Sequence, residues 1–164
     1  MKRTMRKLMS STNEVVHIRL RQEGDWPPFA QEEVAAVPLD EHRFRLASPP
    51  AFAKRLAVGD VVRVLHSGLP EVPWVDEILE HSGHSTLRVI VFEKGGRQAE
   101  VHLEQKMADL GLPVHQTRLK GLFVIDVPPG HSYSTVRSVL DAEAERGLWD
   151  YEEAAISASH DAQL

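Results

Sequence analysis

The stretch EHSGHSTLRVIV, Glu80 to Val91, constrains the fold of this chain more than any other part of it. It places two histidines three residues apart in a Ser/Gly turn that runs directly into an apolar β-run. Leu87 to Phe92 is almost continuously apolar, which suits a central strand covered on both faces. Before the turn, prolines cut the chain into short strands; after it, strands alternate with helical stripes. The turn is thus the passage between two differently built halves, and any functional reading must decide whether it is a joint or a site.

In the first half, Glu14 to Arg21 puts Val16, Ile18 and Leu20 on one face and His17, Arg19 and Arg21 on the other, the alternation of a half-buried strand. Trp26-Pro27-Pro28 ends it, because proline cannot donate to a ladder. Glu33 to Leu39 and Arg43 to Ala47 predict a hairpin around Asp40-Glu41-His42. Pro49 and Pro50 break the chain again, and Ala51 to Leu56 predicts one helical turn. A Gly59-Asp60 turn feeds the β-branched run Val61 to Val64, and Val72 to Glu80, with Trp74 and Ile78, predicts the next strand. These segments describe a small antiparallel sheet, strongly bent or closed into a small barrel.

In the second half, Gly95-Gly96 turns the chain into a helix over Arg97 to Leu110, with Ala99, Leu103, Met107 and Leu110 on one stripe. Gly111 suits the left-handed position just after a helix, and Pro113 prevents its resumption. Val114 to Leu119 and Leu122 to Val127 predict strands joined at Lys120-Gly121. Ser134 is placed to cap a helix carrying Val136, Val139, Leu140 and Ala144, and Gly147 ends it before a last strand, Leu148 to Ile156. The order βαββαβ is the ferredoxin-like arrangement, with Leu87–Phe92 and Leu122–Val127 as adjacent central strands. The chain therefore reads as α+β, with a β-rich lobe over 14–80, a ferredoxin-like lobe over 81–156, and a frayed tail over 157–164.

Charge separates the parts further. The 164 residues carry a net charge of −5, yet residues 1–13 hold Lys2, Arg3, Arg6 and Lys7 and no acid, and read as a solvated, disordered leader. An acidic body argues against general affinity for nucleic acid, which depends on neutralising phosphates. With no cysteine, the chain has no disulfide, thiolate zinc site or cysteine nucleophile. No apolar run approaches the ~20 residues that span a bilayer, and no apolar segment follows the leader as in a secretory signal. The expectation is a cytoplasmic protein with no membrane contact.

Five short motifs carry a family resemblance. They are Trp26-Pro27-Pro28, Gly59-Asp60-Val61-Val62, the run Ser82-Gly83-His84-Ser85-Thr86-Leu87-Arg88-Val89, Val127-Pro128-Pro129, and Gly147 to Glu153, GLWDYEE. Together they resemble a bacterial family of unknown function, the domain-of-unknown-function family 4265, over roughly Val16 to Ala155. The chain departs from it at Pro49 to Lys54, where the resemblance implies a more aromatic stretch. The resemblance supports the fold boundaries and singles out the GHST turn; it implies no activity.

Two groups of residues are candidates for function. In the turn, successive backbone N–H groups near Gly83 and the serines form a concave nest for an anion, with Ser82, His84, Ser85, Thr86 and Arg88 as its ligand set. As pure structure, the same residues satisfy a turn between lobes. A metal at His81 and His84 lacks a third converging ligand, so no metal and no cofactor are expected. Ser82 or Ser85 with His84 are too close in one turn to align as nucleophile and base, and no nucleophile elbow, phosphate-binding loop or dinucleotide fingerprint occurs. No catalytic residue is therefore assigned. Lys120 to Val127, KGLFVIDV, begins like an RNA-binding octapeptide but places Leu122, Val124 and Val127 where stacking aromatics belong. Those apolar residues suit burial against the first lobe or against a second copy, a homodimer through the C-terminal sheet.

The second group is acidic: Asp141, Glu143, Glu145, Asp150, Glu152 and Glu153. Such a run is ordinarily a solvated face; read as function, it docks a basic protein by complementary charge. The favoured expectation is thus a non-catalytic protein-binding module, immunity-like or regulatory, working through this surface. The alternative is a small-molecule or anion-binding protein, or a hydrolase-type enzyme, centred on His84.

Overall fold

The computed structural model describes residues 13–164; the basic leader, apart from Asn13, lies outside the described residues. The chain is α+β, with two sheets and few helices. The first sheet contains β1 (Glu14–Arg19), β2 (Gln31–Pro38), β3 (Arg43–Leu46), β4 (Val61–Ser67) and β5 (Val72–Glu80), each antiparallel to the next. Its outer strands meet in one parallel bridge between His17 and Trp74. Two register shifts in the β4–β5 ladder bend the sheet toward that meeting. The alternation read from β1 holds, since Val16 and Ile18 join Val34, Phe44, Leu46 and Val64 in the inner core.

Ala51 to Leu56 does not form the expected helical turn. The N–H groups of Ala51, Phe52 and Ala53 donate instead to the carboxylate of Glu32, at 2.9, 3.0 and 2.5 Å. Glu32 is buried at the start of β2, and its capture of these donors holds 51–56 as an irregular strap. The strap then binds the second lobe. Ala51 O accepts from Arg88 Nη1 at 3.0 Å, and Leu56 O accepts from Thr86 Oγ1 at 3.0 Å.

The second sheet contains β6 (Ser85–Val91), β7 (Val114–Gln116), β8 (Leu122–Val127) and β9 (Trp149–Ala155) in the order β7-β8-β6-β9. The two continuously apolar strands, β6 and β8, are antiparallel neighbours at its centre, as their composition demands. Helices α1 (Gly96–Asp109) and α2 (Tyr133–Glu145) follow β6 and β8. One core joins Leu87, Val89, Phe123, Ile125 and Trp149 of the sheet to Leu103, Met107, Val136 and Leu140 of the helices. Each such fully buried side chain contributes ~1.5–3 kcal/mol of transfer free energy. Gly111, at φ +74°, ends α1: its N–H reaches Ala108 O and that of Leu112 reaches Met107 O, a paired closure that needs the left-handed residue.

Three local expectations change for identifiable reasons. β7 stops at Gln116 because Thr117 Oγ1 bonds both the N–H and the C=O of Leu119, drawing the backbone out of the ladder. Helix α2 starts after Ser132 rather than Ser134, and its first N–H, on Tyr133, is capped by Gln163 Oε1 at 2.9 Å. The cap shows that the tail is not frayed. Residues Ala158–Asp161 form a short helix, α3, whose His160 is fully buried and stacks on Tyr133 with ring centres 4.9 Å apart. Among the described residues no helix is long and apolar enough to cross a membrane.

Candidate functional site

The GHST turn is tied to the Gly59–Asp60 turn of the first lobe. Asp60 is buried, and its two oxygens accept the N–H of Ser82 at 2.8 Å and of Ala57 at 3.0 Å. Ser82 Oγ donates to Val58 O at 2.5 Å and accepts from His84 N at 3.2 Å. Gly59, at φ +83°, presses against this contact: a Cβ there would lie 2.9 Å from Ser82 Cβ, closer than packing permits. The two turns therefore interlock, with Gly59 supplying both the left-handed backbone and the space.

Most of the proposed ligand set is consumed by that joint. Ser85, Thr86 and Arg88 are buried in β6. Ser85 Oγ lies 2.6 Å from His160 Nδ1 and accepts from Ser157 N at 2.9 Å. His160 Nε2 is 3.1 Å from Pro128 O, which only accepts, so Nε2 carries the proton and Nδ1 takes the one from Ser85. Thr86 serves the strap, and Arg88 divides itself between the strap and Glu152, whose Oε1 is 2.6 Å from Nε. The nest of five ligands expected for an anion is not assembled, because four of the five point into the protein.

His84 is the exception. Its Nδ1 is 2.8 Å from Oδ1 of Asp126, a lone carboxylate in the otherwise apolar strand β8. The carboxylate only accepts, so Nδ1 donates; Nε2, which accepts in the neutral ring and donates in the imidazolium, has no protein partner among the described residues. The ring lines a cleft of about 830 Å³ between the lobes, together with Arg55, His81, Glu153, Ser157 and Asp161. His81 is mostly exposed, with Nδ1 3.8 Å from Asp60 Oδ2. Among the described residues no three His, Cys, Asp or Glu side chains converge as a metal site. A histidine fixed by a carboxylate through one nitrogen, unpartnered at the other and lining a cavity is suited to bind a polar group and to give or take a proton.

The acidic series does not share one face. Glu143 is buried on α2, with His102 Nε2 3.2 Å from one carboxylate oxygen and Arg146 Nη1 3.0 Å from the other. Burial alone would raise its carboxyl, but contact with His102 and the charges of Arg146 and Lys106 outweigh that and hold it below the ordinary range. Glu153 accepts from Tyr133 OH at 2.6 Å and faces Arg137, while Asp141 accepts from Tyr151 OH. Asp150 and Glu152 alternate with Tyr151 and Glu153 along β9, and border a small cavity of about 230 Å³ beside Trp26, Arg88 and Leu122. Glu145 is exposed at the end of α2. Val127 joins the helix-facing core, whereas Leu122 and Val124 point to the opposite face and are buried there within the single chain.

Two residues of the site, the His84 partner Asp126 and the cleft residue Arg55, were not legible as such. Asp126 carried one signal, a charge at a strand position flanked by apolar residues on both sides. Arg55 carried none, since nothing near it in sequence points to a cleft.

A family model described as Domain of unknown function (DUF4265) matches residues 32–151. A search of the curated proteins finds no match. Among solved structures, the crystal structure of a hypothetical protein from Neisseria gonorrhoeae superposes with a TM-score of 0.72 at 16% identity, over 89% of this chain and 96% of that one. At that identity the likeness is one of fold.

Proposed function

Because the chain belongs to the DUF4265 family, a domain of unknown function, we propose a function from the inter-lobe cleft: the protein binds a small polar molecule there, with His84 as the group that exchanges a proton with it. One observation carries this reading. His84 is oriented by Asp126 at 2.8 Å and lines the cleft with its other nitrogen unpartnered among the described residues, while Ser82, Ser85 and Thr86 of the same turn are bonded internally. A residue needed only for the joint would have its free nitrogen satisfied by the protein, as His160 does. The dispersal of the acidic residues over separate faces, several of them in internal pairs, favours the cleft over an acidic docking surface. We read the lobes themselves as a small barrel and a ferredoxin-like unit; the His17–Trp74 bridge and the order β7-β8-β6-β9 support that reading.

The test is a thermal-shift screen of small polar metabolites against the wild-type protein and His84→Ala. Compounds that raise the wild-type melting temperature are expected to leave His84→Ala unmoved, with the unliganded variant melting within a few degrees of wild type. A variant that binds every hit as well as the wild type would remove His84 from the site and end this reading.

A further inference from the structure

We propose that the ligand of this cleft is an anion, a carboxylate or a phosphate, and that Arg55 is the residue that selects its charge; the proposal rests on the cleft reading above. Arg55 is the one non-glycine residue with positive φ, at 66°, among the described residues. A side chain in that conformation costs free energy that glycine would not. Its N–H donates at 2.9 Å to Ala154 O. Ala154 is itself irregular. Thr86 pairs with Ala155 and Leu87 with Glu153, so the ladder shifts register and leaves Ala154 as an extra, bulged residue. Two backbone irregularities on opposite lobes thus bond to each other on the wall of the cleft, and together they fix where the Arg55 side chain starts.

The charges around the cleft are unequal in availability. Both oxygens of Asp60 are taken by backbone N–H groups, and Glu153 is taken by Tyr133 and Arg137. Asp161, on the short helix α3, is the acid left without a partner among the described residues. Against it stand the Arg55 guanidinium, which makes no ion pair among the described residues, and the imidazoles of His81 and His84. An unpaired guanidinium on a pocket wall presents a planar fork of donors that matches a carboxylate or phosphate, and His84 adds a further donor beside it when its ring takes up a proton and both nitrogens carry hydrogen.

The experiment follows the His84 imidazole and Arg55 backbone resonances by NMR at constant ionic strength. The protein is titrated with inorganic phosphate and acetate, and with glycerol and ethylammonium as neutral and cationic probes. At least one anion should move both residues saturably, and glycerol and ethylammonium should not. Arg55→Gly should weaken that binding about tenfold or more, because a charged hydrogen-bonding partner is lost. The same variant should melt higher than wild type, because glycine adopts the left-handed backbone freely; Arg55→Lys should retain part of the affinity. If neutral or cationic probes move His84 as strongly as the anions, or Arg55→Gly binds the anion unchanged, the charge assignment is overturned while the cleft stands. If no probe moves His84, the cleft reading falls and takes this inference with it.

Discussion

Ser85 and His160, 75 residues apart in sequence, meet with 2.6 Å between Oγ and Nδ1 in the interior of the protein. The contact joins the start of β6 to the last helix, and Pro128 O and the Tyr133 ring complete the enclosure of the imidazole. It is a serine–histidine pair of the kind hydrolases use, yet His160 is fully buried and its second nitrogen donates to a backbone carbonyl. The pair fastens the C-terminal segment against the sheet and is closed to any substrate.

Removing this fastening should destabilise the whole lobe. His160→Ala deletes a buried ring and leaves the Ser85 hydroxyl proton without its acceptor, which should cost about 2–4 kcal/mol. Urea unfolding measures it. A loss under about 0.5 kcal/mol, the range of an ordinary surface change, would show that the segment does not hold the sheet.

The strap at 51–56 depends on Glu32. Glu32→Ala orphans three backbone N–H groups at once, with an expected loss of about 2–3 kcal/mol after water enters. Glu32→Gln should fall between, because an amide presents one accepting oxygen where the carboxylate presents two. Hydrogen exchange should quicken at Phe52 and Ala53 in both variants; unchanged protection there would mean that other contacts fold the strap.

Stability should decline on the alkaline side. Burial, reinforced by its bond to Glu153, pushes the ionisation of Tyr133 above the ordinary 10.0, and Tyr151 shifts the same way through burial and its bond to Asp141. Above that value the unfolded chain releases protons that the native state retains, so the native state binds more protons and loses stability as pH rises. The contribution is complete below pH 10 and fades above it. Urea midpoints compared between about pH 8 and about pH 11 should fall more steeply for wild type than for Tyr133→Phe, which has no phenol to ionise. Parallel curves would sink the assignment.

Part of the site could be read before folding was known. The turn from Ser82 to Thr86 was identifiable as both joint and candidate site, and the structure divides the roles by residue: Ser82, Ser85 and Thr86 make the joint, and His84 faces the cleft. Glu143 illustrates the opposite case. Its spacing from Asp141 and Glu145 suggests one charged face, yet it is buried between His102 and Arg146. A helix turns by about 100° per residue, so neighbours two positions apart in an acidic run point in quite different directions.

The elements themselves were determined by the sequence alone, because the signals that make them act over a few residues. Val16 and Ile18 alternate with His17, Ala99, Leu103 and Met107 recur at helical spacing, and Gly111 can close a helix that Pro113 cannot continue. The adjacency of β6 and β8 was equally legible, since two continuously apolar strands must cover one another. The destinations of the polar side chains were decided only in three dimensions. Glu32 finds the strap 19 to 21 residues on, Asp126 reaches His84 across 42, and His160 reaches Ser85 across 75. A buried polar atom takes whichever partner packing delivers to it, and no local pattern records which partner that is.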